Sequence, residues 1–393
     1  METTAAFAGF RCMDCGASVD PDTTGSCPDC TGPLEPTYDA DALADAIPTA
    51  LDAARDPGLA GYAPVLPFPA DSLVTAGEGA TPVLACPSLG AQLGVDRVLV
   101  KDEGRNGTGG VADRAMALAV AGARAHGADD VALPTTGNGG QAAAAYASRA
   151  GLDSHSFAPS RMPFANKAMI NVHGGDMQIV GGRYADAAGA FADAIEEDWY
   201  SLAPFDTPYR HEGLKTLAYE LVADCGGAPD AVVYPTAHGI GPVGLHRGFR
   251  ELAAAGQIDS VPRLYAAQAR GCAPVANAWA NGGATHDPVE HPDTICGALE
   301  VPDPDGGPFV LDALAATGGG AVATDDEALL EAAVDLSGTG VATSATGGAA
   351  VSGATALADD GAFADDETVV LVNTATANRE ADILRSHLMS KGV

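Results

Sequence analysis

Four of the eight cysteines form two closely spaced pairs near the start of the chain. They are Cys12, Cys15, Cys27 and Cys30. Two thiolate pairs on tight turns supply the four sulfur ligands of a tetrahedral Zn²⁺ site, and this spacing is typical of a zinc ribbon. Because four thiolates leave no open coordination position, we expect a structural metal. The alternatives are two disulfides or a ribbon that has lost its metal. A glycine, Gly16 or Gly32, follows each pair and would permit a left-handed backbone.

A glycine-rich loop carries a second group of polar side chains. It reads Thr135-Thr136-Gly137-Asn138 and continues into two further glycines. A glycine-rich turn at the start of a helix exposes backbone N–H groups to an anion. The alternative is a plain turn that closes a strand. We favour an anion site because the loop is in register with the other segments described below.

Repeated strand–loop–helix units position these loops. Predicted strands are Val98–Lys101, Val131–Leu133, Met177–Val180, Ala231–Tyr234, Arg263–Ala267 and Thr368–Val372. Predicted helices include Asp113–His126 and Tyr184–Asp198. This alternation predicts an α/β fold with mostly parallel sheets and helices on both faces. In such sheets, ligands bind at the carboxyl ends of the strands.

The chain is strongly acidic and poor in lysine. It has 52 Asp and Glu residues against 20 Lys and Arg residues, which gives a formal net charge of -32. With 47% hydrophobic residues, disorder is disfavoured, and we interpret the acidity as adaptation to high salt. An acidic surface also argues against nucleic-acid binding.

Compartment and membrane association follow from composition. We find neither an apolar stretch long enough to cross a membrane nor a signal peptide at the start. We therefore expect a cytoplasmic protein in a reducing compartment. The remaining cysteines are scattered and are predicted to be small buried apolar residues rather than nucleophiles. They are Cys86, Cys225, Cys272 and Cys296.

Several segments together resemble threonine synthase and, more broadly, the fold-type-II enzymes that use pyridoxal phosphate (PLP). The ribbon and its Gly32–Asp39 continuation come first, followed by the segments Gly77–Pro82, Lys101–Asn106, Pro134–Asn138 and Pro208–Thr216. Order and spacing match over about residues 10–380. The resemblance implies a two-domain fold-type-II scaffold with an N-terminal zinc ribbon. We assign residues 1–38 to the ribbon, 39–115 and 205–393 to a large α/β domain, and 116–204 to a small α/β domain.

The position of the family's cofactor-binding lysine is the main departure. The family segment NPTGSFKDRG is similar to Asn106–Arg114, in which Asp113 and Arg114 keep the register and Ala112 stands where the lysine would be. A methyl group can neither bind the cofactor covalently nor carry a proton. Of the lysines weighed as substitutes, Lys101, Lys167 and Lys215, none is expected to reach the site. Loss of a general base alone costs about 10²–10⁴-fold in rate.

The resemblance also implies a set of cofactor or ligand contacts. They are Asn106, Thr135, Thr136, Gly137, Asn138, His238, Gly239, Gly241 and Thr374. The loop from Tyr234 to Gly241 resembles the family's phosphate-binding loop, but Ala237 and Ile240 replace glycines. His238 either donates to a phosphate or fills the emptied site. At Thr374 the hydroxyl that would face the pyridine nitrogen is kept, and neighbouring glycines have become alanines.

Three functions stay open from the sequence. The first is a catalytically degenerate threonine-synthase-like protein that keeps a pocket for an amino acid or a phosphorylated amino acid and acts in binding, in regulation or as a subunit. The second is an active PLP-dependent threonine synthase or amino-acid lyase, with the cofactor held non-covalently or by another lysine. The third makes the ribbon the functional part and the large body a scaffold for assembly. Structural zinc is expected, PLP would be held non-covalently if bound, and a homo-oligomer is compatible with the chain.

Overall fold

A computed structural model describes residues 1–196 and 198–392. The chain begins with a three-stranded antiparallel sheet in the order β2-β1-β3, in which β1 is Phe7–Cys12, β2 is Ser18–Val19 and β3 is Leu34–Tyr38. Cys12 ends β1, and the other three clustered cysteines lie in the turns beside these short strands. Helix α1 (Ala40–Asp52) follows and begins at Asp39, whose carboxylate accepts a hydrogen bond from the N–H of Ala42 at 2.9 Å.

A six-stranded sheet forms the larger part of the molecule, in the order β12-β11-β10-β13-β5-β4. Its strands are β4 (Val83–Ala85), β5 (Arg97–Asp102), β10 (Ala231–Pro235), β11 (Arg263–Ala269), β12 (Gly320–Thr324) and β13 (Thr368–Asn373). All neighbours pair in parallel except β4, which runs antiparallel to β5 at the edge. The central strands β10 and β13 are apolar on both sides because helices cover both faces.

A second, four-stranded parallel sheet has the order β8-β7-β6-β9. Its strands are β6 (Asp130–Pro134), β7 (Asp153–Pro159), β8 (Asp176–Val180) and β9 (Tyr200–Ser201). All four strands come from one continuous stretch of chain. The loops that follow β6 and β7 lead to the cleft between the two sheets.

Helices surround both sheets. They are α2 (Pro87–Leu93), α3 (Ala112–Ala125), α4 (Asn138–Ala150), α5 (Phe164–Val172), α6 (Tyr184–Ala194), α7 (Tyr209–Leu214), α8 (Thr216–Cys225), α9 (Ile240–Ala254), α10 (Pro274–Ala280), α11 (Gly307–Thr317), α12 (Asp326–Gly338), α13 (Ala345–Asp359) and α14 (Ala381–Ser390). Small residues let these helices approach closely. A Cβ atom at Gly213 in α7 would lie 2.3 Å from the carbonyl oxygen of Arg114 in α3, and one at Gly244 in α9 would lie 2.5 Å from that of His211 in α7.

The α/β fold with mostly parallel sheets is confirmed. The predicted helix Tyr184–Asp198 was too long, because α6 ends at Ala194 and Ile195 turns to an extended backbone with ψ 126°. Residue 197, within that prediction, lies outside the described residues. Within the described part of the chain, no helix is both long and apolar enough to cross a membrane.

Candidate metal centre and cleft site

The four clustered cysteines meet at one point of the ribbon. Their sulfur atoms all lie within 4.8 Å of one another, with 3.4 Å between Cys12 and Cys30 and 3.8 Å between Cys15 and Cys27. All four are free thiols. A tetrahedral metal with Zn–S bonds of about 2.3 Å places its sulfur ligands about 3.8 Å apart. The donor set and its spacing therefore fit a four-coordinate thiolate-bound metal.

The turns that carry these cysteines use their glycines in two different ways. Gly16 has φ +74°, the left-handed conformation expected from the sequence. In the second turn the left-handed residue is Thr31, with φ +62°, so the expectation for Gly32 was wrong. Glycine is needed at position 32 because a Cβ atom there would lie 2.4 Å from a carboxylate oxygen of Asp14.

Ala112 is the first residue of α3 and lies beside the end of the central strand β13. The N–H of Val111 donates to the carbonyl oxygen of Thr374 at 2.9 Å, and Gly110 forms an antiparallel bridge with Ala375. The alanine is half-buried. These contacts place position 112 at the carboxyl end of the large sheet, next to Thr374, where parallel sheets bind ligands.

Lys101, one of two fully buried lysines, is held by two carboxylates and a backbone carbonyl. Lys101 donates to the carbonyl oxygen of Thr81 at 2.7 Å and pairs with Glu220 at 2.8 Å and Asp224 at 3.1 Å. Its side chain is fully buried, so the ammonium group is not free to enter the cleft.

The other three lysines also have partners, one of them in the interior and two near the surface. The fully buried Lys215 pairs with Glu251 at 3.0 Å and with Glu212, and it lies 4.2 Å from the ring centre of Tyr38. Lys167 donates to the carbonyl oxygen of Ser160 at 2.6 Å, and Lys391 pairs with Glu331 at 2.7 Å on the surface. Within the described residues, each of the four lysine amines therefore has a hydrogen-bond or ion-pair partner outside position 112.

Behind Ala112, α3 is fixed by Arg114. Its guanidinium forms paired hydrogen bonds of 2.7 and 2.8 Å with Glu103 and of 2.7 and 2.7 Å with Glu220, and all three side chains are buried. Burial opposes ionisation of Glu220, but Arg114 and Lys101 lower its pKa to about 2. The scaffold around the missing lysine is therefore a fully charged and hydrogen-bonded network.

The glycine-rich loop after β6 is held by the hydroxyl of Thr135 and packs closely against the amide of Asn166. Thr135 Oγ1 accepts hydrogen bonds from the N–H groups of Gly137 at 3.0 Å and Gly140 at 2.9 Å, which stabilises the start of α4. Gly137 has φ +139°, and a Cβ atom there would lie 2.2 Å from Nδ2 of Asn166. Thr136 lines a cavity of about 60 Å³ between the two sheets.

The loop before α9 leaves little room for a phosphate beside the start of the helix. Gly239 precedes the helix with φ +94°. A Cβ atom at Gly241, in the first turn of α9, would lie 2.2 Å from the ring of Tyr234, so this ring fills the space beside the helix start. His238 packs edge-on against Tyr184, with 4.8 Å between ring centres. Burial, helped by nearby Arg210, lowers the pKa of His238 to about 3, so the imidazole is neutral at pH 7.

Thr374 and Asn106 differ in what they offer a ligand. The hydroxyl of Thr374 is buried and has no hydrogen-bond partner among the described residues. In contrast, the amide of Asn106 is fully used: it accepts from the N–H of Gly79 at 2.8 Å and donates to Glu103 at 2.8 and 3.0 Å. Thr374 is thus available to a ligand, and Asn106 stabilises the loop.

Two buried arginines at the cleft were missed as site residues. Arg210 in α7 lies with Nη2 3.7 Å from the Cβ position of Gly139, and its Nε has no hydrogen-bond partner in the described structure. Arg379 donates to Asn138 at 2.9 Å. Neither pairs with a carboxylate of a described residue. Both arginines lie in or beside segments that carry the family resemblance. In a lysine-poor chain, a basic residue in such a segment could have identified them from the sequence.

Residues 74–375 match the sequence model of the family described as "Pyridoxal-phosphate dependent enzyme". The matched range includes the glycine loops, Ala112 and Thr374. The chain belongs to this family. It is 31% identical to a threonine synthase of Methanosarcina acetivorans over 369 residues, which cover 93% of this chain and 90% of that protein. The resemblance inferred from the motifs is confirmed.

Two solved structures share the fold at low identity. A processed form of threonine deaminase isoform 2 from Solanum lycopersicum matches with TM-score 0.68 and 19% identity, covering 80% of this chain and 88% of that one. A lysine-to-alanine variant of O-ureido-L-serine synthase with O-ureido-L-serine bound matches with TM-score 0.61 and 22% identity, covering 76% and 88%. Both comparisons support the fold-type-II scaffold of this PLP-dependent family member.

Proposed function

We propose that this chain is a catalytically degenerate threonine-synthase-like protein that binds an amino acid or a phosphorylated amino acid without covalent cofactor chemistry. The observation that carries the proposal is Ala112 beside Thr374, with Lys101 and Lys215 both locked in buried ion pairs. A buried ion-paired lysine cannot leave without stranding its carboxylate partners, which is strongly unfavourable.

The residues present fit PLP only in part. The unpartnered hydroxyl of Thr374 suits a ring nitrogen, and the start of α9 at Gly239 suits a phosphate. The covalent anchor is missing, and Tyr234 narrows the phosphate end. When bound, PLP supplies an electron sink for amino-acid chemistry. Non-covalent retention is compatible with this site, and the alanine at position 112 argues against covalent attachment there.

Arg210 supports an anionic ligand. A guanidinium stays charged in proteins, and burying a charge without a partner is costly. Arg210 is buried, its Nε–H has no partner in the described structure, and its only protein hydrogen bond within the described residues runs from Nη1 to the carbonyl oxygen of Leu202 at 2.8 Å. A carboxylate or phosphate in the cleft would supply the missing partner.

Absorbance spectroscopy tests this function. Protein incubated with PLP and dialysed should show no visible band that borohydride can trap, while inorganic phosphate or an amino acid should still raise the melting temperature. A trapped adduct, located by mass spectrometry on any lysine, would overturn the proposal. The substitution Arg210→Gln should abolish the rise in melting temperature caused by phosphate if the anion binds beside Arg210.

An active lyase is the second candidate, favoured by the unpartnered Thr374 hydroxyl and by 31% identity to a threonine synthase over most of the chain. Its test is turnover of O-phosphohomoserine and threonine with added PLP, in the natural protein and in Ala112→Lys. Turnover by the natural protein would establish this candidate. If Ala112→Lys gains at least about 10²-fold, the size of a general-base contribution, only the lysine was missing. If it gains nothing, the pocket has diverged further.

A further inference from the structure

Arg379 lies between the two sheets and pairs with no carboxylate among the residues that the structure describes. It follows β13 in a short 3₁₀ turn, Ala377–Arg379, and its side chain is 5% exposed. Of the other two buried guanidinium groups described above, that of Arg114 is neutralised by two glutamates, and that of Arg210 pairs with no carboxylate of a described residue. Arg379 instead donates to neutral oxygen atoms, although carboxylates outnumber basic residues in the chain. Such an arrangement needs a reason other than simple charge pairing.

The guanidinium joins the two halves of the cleft. Nη1 donates to Oδ1 of Asn138 and to Oδ1 of Asn166, both at 2.9 Å, and these residues lie in α4 and α5 beside the four-stranded sheet. Nη2 donates to Oγ1 of Thr108 at 3.1 Å and to the carbonyl oxygen of the same residue, in the loop that leads to Ala112. One planar fork thus connects three separate segments.

The segment that carries Arg379 is fixed to two neighbouring loops and to α13. The N–H of Thr376 donates to the carbonyl oxygen of Gly109 at 3.0 Å, and that of Ala377 donates to the carbonyl oxygen of Ala342 at 3.0 Å. Glu380 accepts hydrogen bonds from the N–H and the hydroxyl of Thr346, each at 2.8 Å. Arg379 therefore reaches across the cleft from a segment that cannot easily move.

Thr108 transmits the contact to α3. Asp113 accepts hydrogen bonds from the N–H of Thr108 at 2.6 Å and from its hydroxyl. Burial raises the pKa of Asp113 to about 6, while Thr108 and Arg379 oppose that rise. The chain of contacts from Asp113 through Thr108 to Arg379 fixes the loop that holds position 112.

Asn138 is oriented by the same contact. Since its oxygen accepts from Arg379, its amide N–H₂ group is left for another acceptor. Asn138 begins α4, and Arg210 lies beside the next residue of that helix, Gly139. The cleft consequently presents hydrogen-bond donors, and an anion is the ligand that donors recognise.

We propose that Arg379 is a positioning residue that holds the cleft closed and turns the Asn138 amide toward an anionic ligand. The closure does not depend on the proposed function, whereas the ligand part rests on it. A second bridge across the cleft, from Arg161 and Arg183 to Glu300, lies at the mouth, where the two arginine side chains are 48% and 34% exposed. The carboxylate of Glu300 is 6% exposed, so salt screens this bridge only in part. The fork of Arg379 is buried throughout and is screened less, so we expect it to contribute most to closure at high ionic strength.

Hydrogen–deuterium exchange on the ligand-free protein tests the closure. In Arg379→Gln, amides in residues 106–111, 135–141 and 163–168 should exchange roughly tenfold faster, the effect of losing charged hydrogen bonds. Arg379→Lys should show the same regional increase because an ammonium group cannot reproduce the planar fork. The matched control is Arg385→Gln, an exposed arginine of α14 without an ion pair in the described structure. Unchanged exchange in Arg379→Gln would overturn the proposal.

Two further arms separate this proposal from the proposed function. If Arg379→Gln does not fold, Asn166→Ala removes one acceptor, keeps the arginine, and should loosen the same segments; unchanged exchange there would again overturn the proposal. Inorganic phosphate, titrated by calorimetry, should bind roughly tenfold more weakly to Arg379→Gln than to the natural protein. If phosphate does not bind the natural protein, the proposed function and the ligand part fail, and the exchange data still decide closure.

Discussion

At the scale of single residues, α3 shows how a scaffold can persist without its reactive group. Ala112 removes the amine, but Arg114, two residues later, keeps both of its paired glutamates. Glu220 also neutralises Lys101 and accepts from the N–H of Ala80 at 2.9 Å. The network is needed for the fold whether or not chemistry takes place, because removing one member strands buried charges.

Replacing Glu220 by glutamine should therefore destabilise the protein by about 3–5 kcal/mol, the cost of breaking a buried ion pair. Denaturant unfolding would measure it. The matched control is Glu331→Gln, whose exposed pair with Lys391 should contribute less than about 1 kcal/mol. Equal effects of the two substitutions would contradict the charge network as described.

Glu220 should also contribute to the way in which the free energy of unfolding depends on acid pH. The pKa of Glu220 is lowered from 4.5 to about 2 in the fold, so its ionised form stabilises the native state. That contribution is complete above pH 4.5 and is lost as the pH falls toward about 2. Denaturant unfolding between these pH values should show a shallower acid decline in Glu220→Gln than in the natural protein. A parallel decline would count against this assignment.

At the scale of elements, the ribbon is joined to the helix that carries Arg210. The hydroxyl of Tyr38 in β3 donates to Glu212 in α7, and Arg247 in α9 pairs with Glu35 of β3 at 2.9 Å and with Glu212 at 2.6 Å. These groups are largely buried, so the ribbon contacts α7 through a stiff charged interface. We propose that the ribbon braces this side of the cleft and that its metal is zinc.

Removing the metal tests whether the ribbon stabilises α7 at the side of the cleft. Mass spectrometry should find one zinc per chain, and a chelator should lower the melting temperature and speed hydrogen exchange in residues 209–214, because the folded ribbon depends on its metal. Cys30→Ser should reproduce both effects. Cys225→Ser, a half-buried cysteine outside the cluster, is the control. Unchanged exchange in α7 after complete metal loss would show that the ribbon does not support the cleft.

At the scale of the whole molecule, charge is the dominant feature. A formal net charge of -32 produces mutual repulsion that opposes the compact state. Ions screen this repulsion over about 10 Å at 0.1 M salt and about 3 Å at 1 M. The buried networks around Arg114 and Arg247 are shielded from this screening, so added salt weakens repulsion without weakening them.

The melting temperature should therefore rise from 0.1 M to 2 M KCl, as expected for a protein adapted to high salt. Calorimetry or circular dichroism would follow it, and sucrose at matched osmolarity should give a smaller rise because it screens no charge. A melting temperature that falls with KCl would contradict the salt adaptation inferred from the composition.

The sequence predicted the fold well where the pattern is local. Alternating apolar strands and alanine-rich helices gave β5, β10 and β13 to within one or two residues, because burial on both faces demands continuous apolar runs. It failed at the end of α6, where alanine-rich composition continues past Ala194 but the backbone does not. The assignment of Asn106 to the ligand stays a prediction, although its amide already bonds to Gly79 and Glu103.

By itself, the sequence determined that the chain carries two thiolate pairs, repeated strand–helix units and an alanine in place of an amine, since each depends on residues close together along the chain. Only the tertiary structure decided that Lys101 and Lys215 are locked in ion pairs, that Tyr234 fills the helix start, and that Arg379 spans the cleft. Arg379 and Asn138 are 241 positions apart. Contacts of that kind arise from packing of distant elements, and no local pattern encodes them.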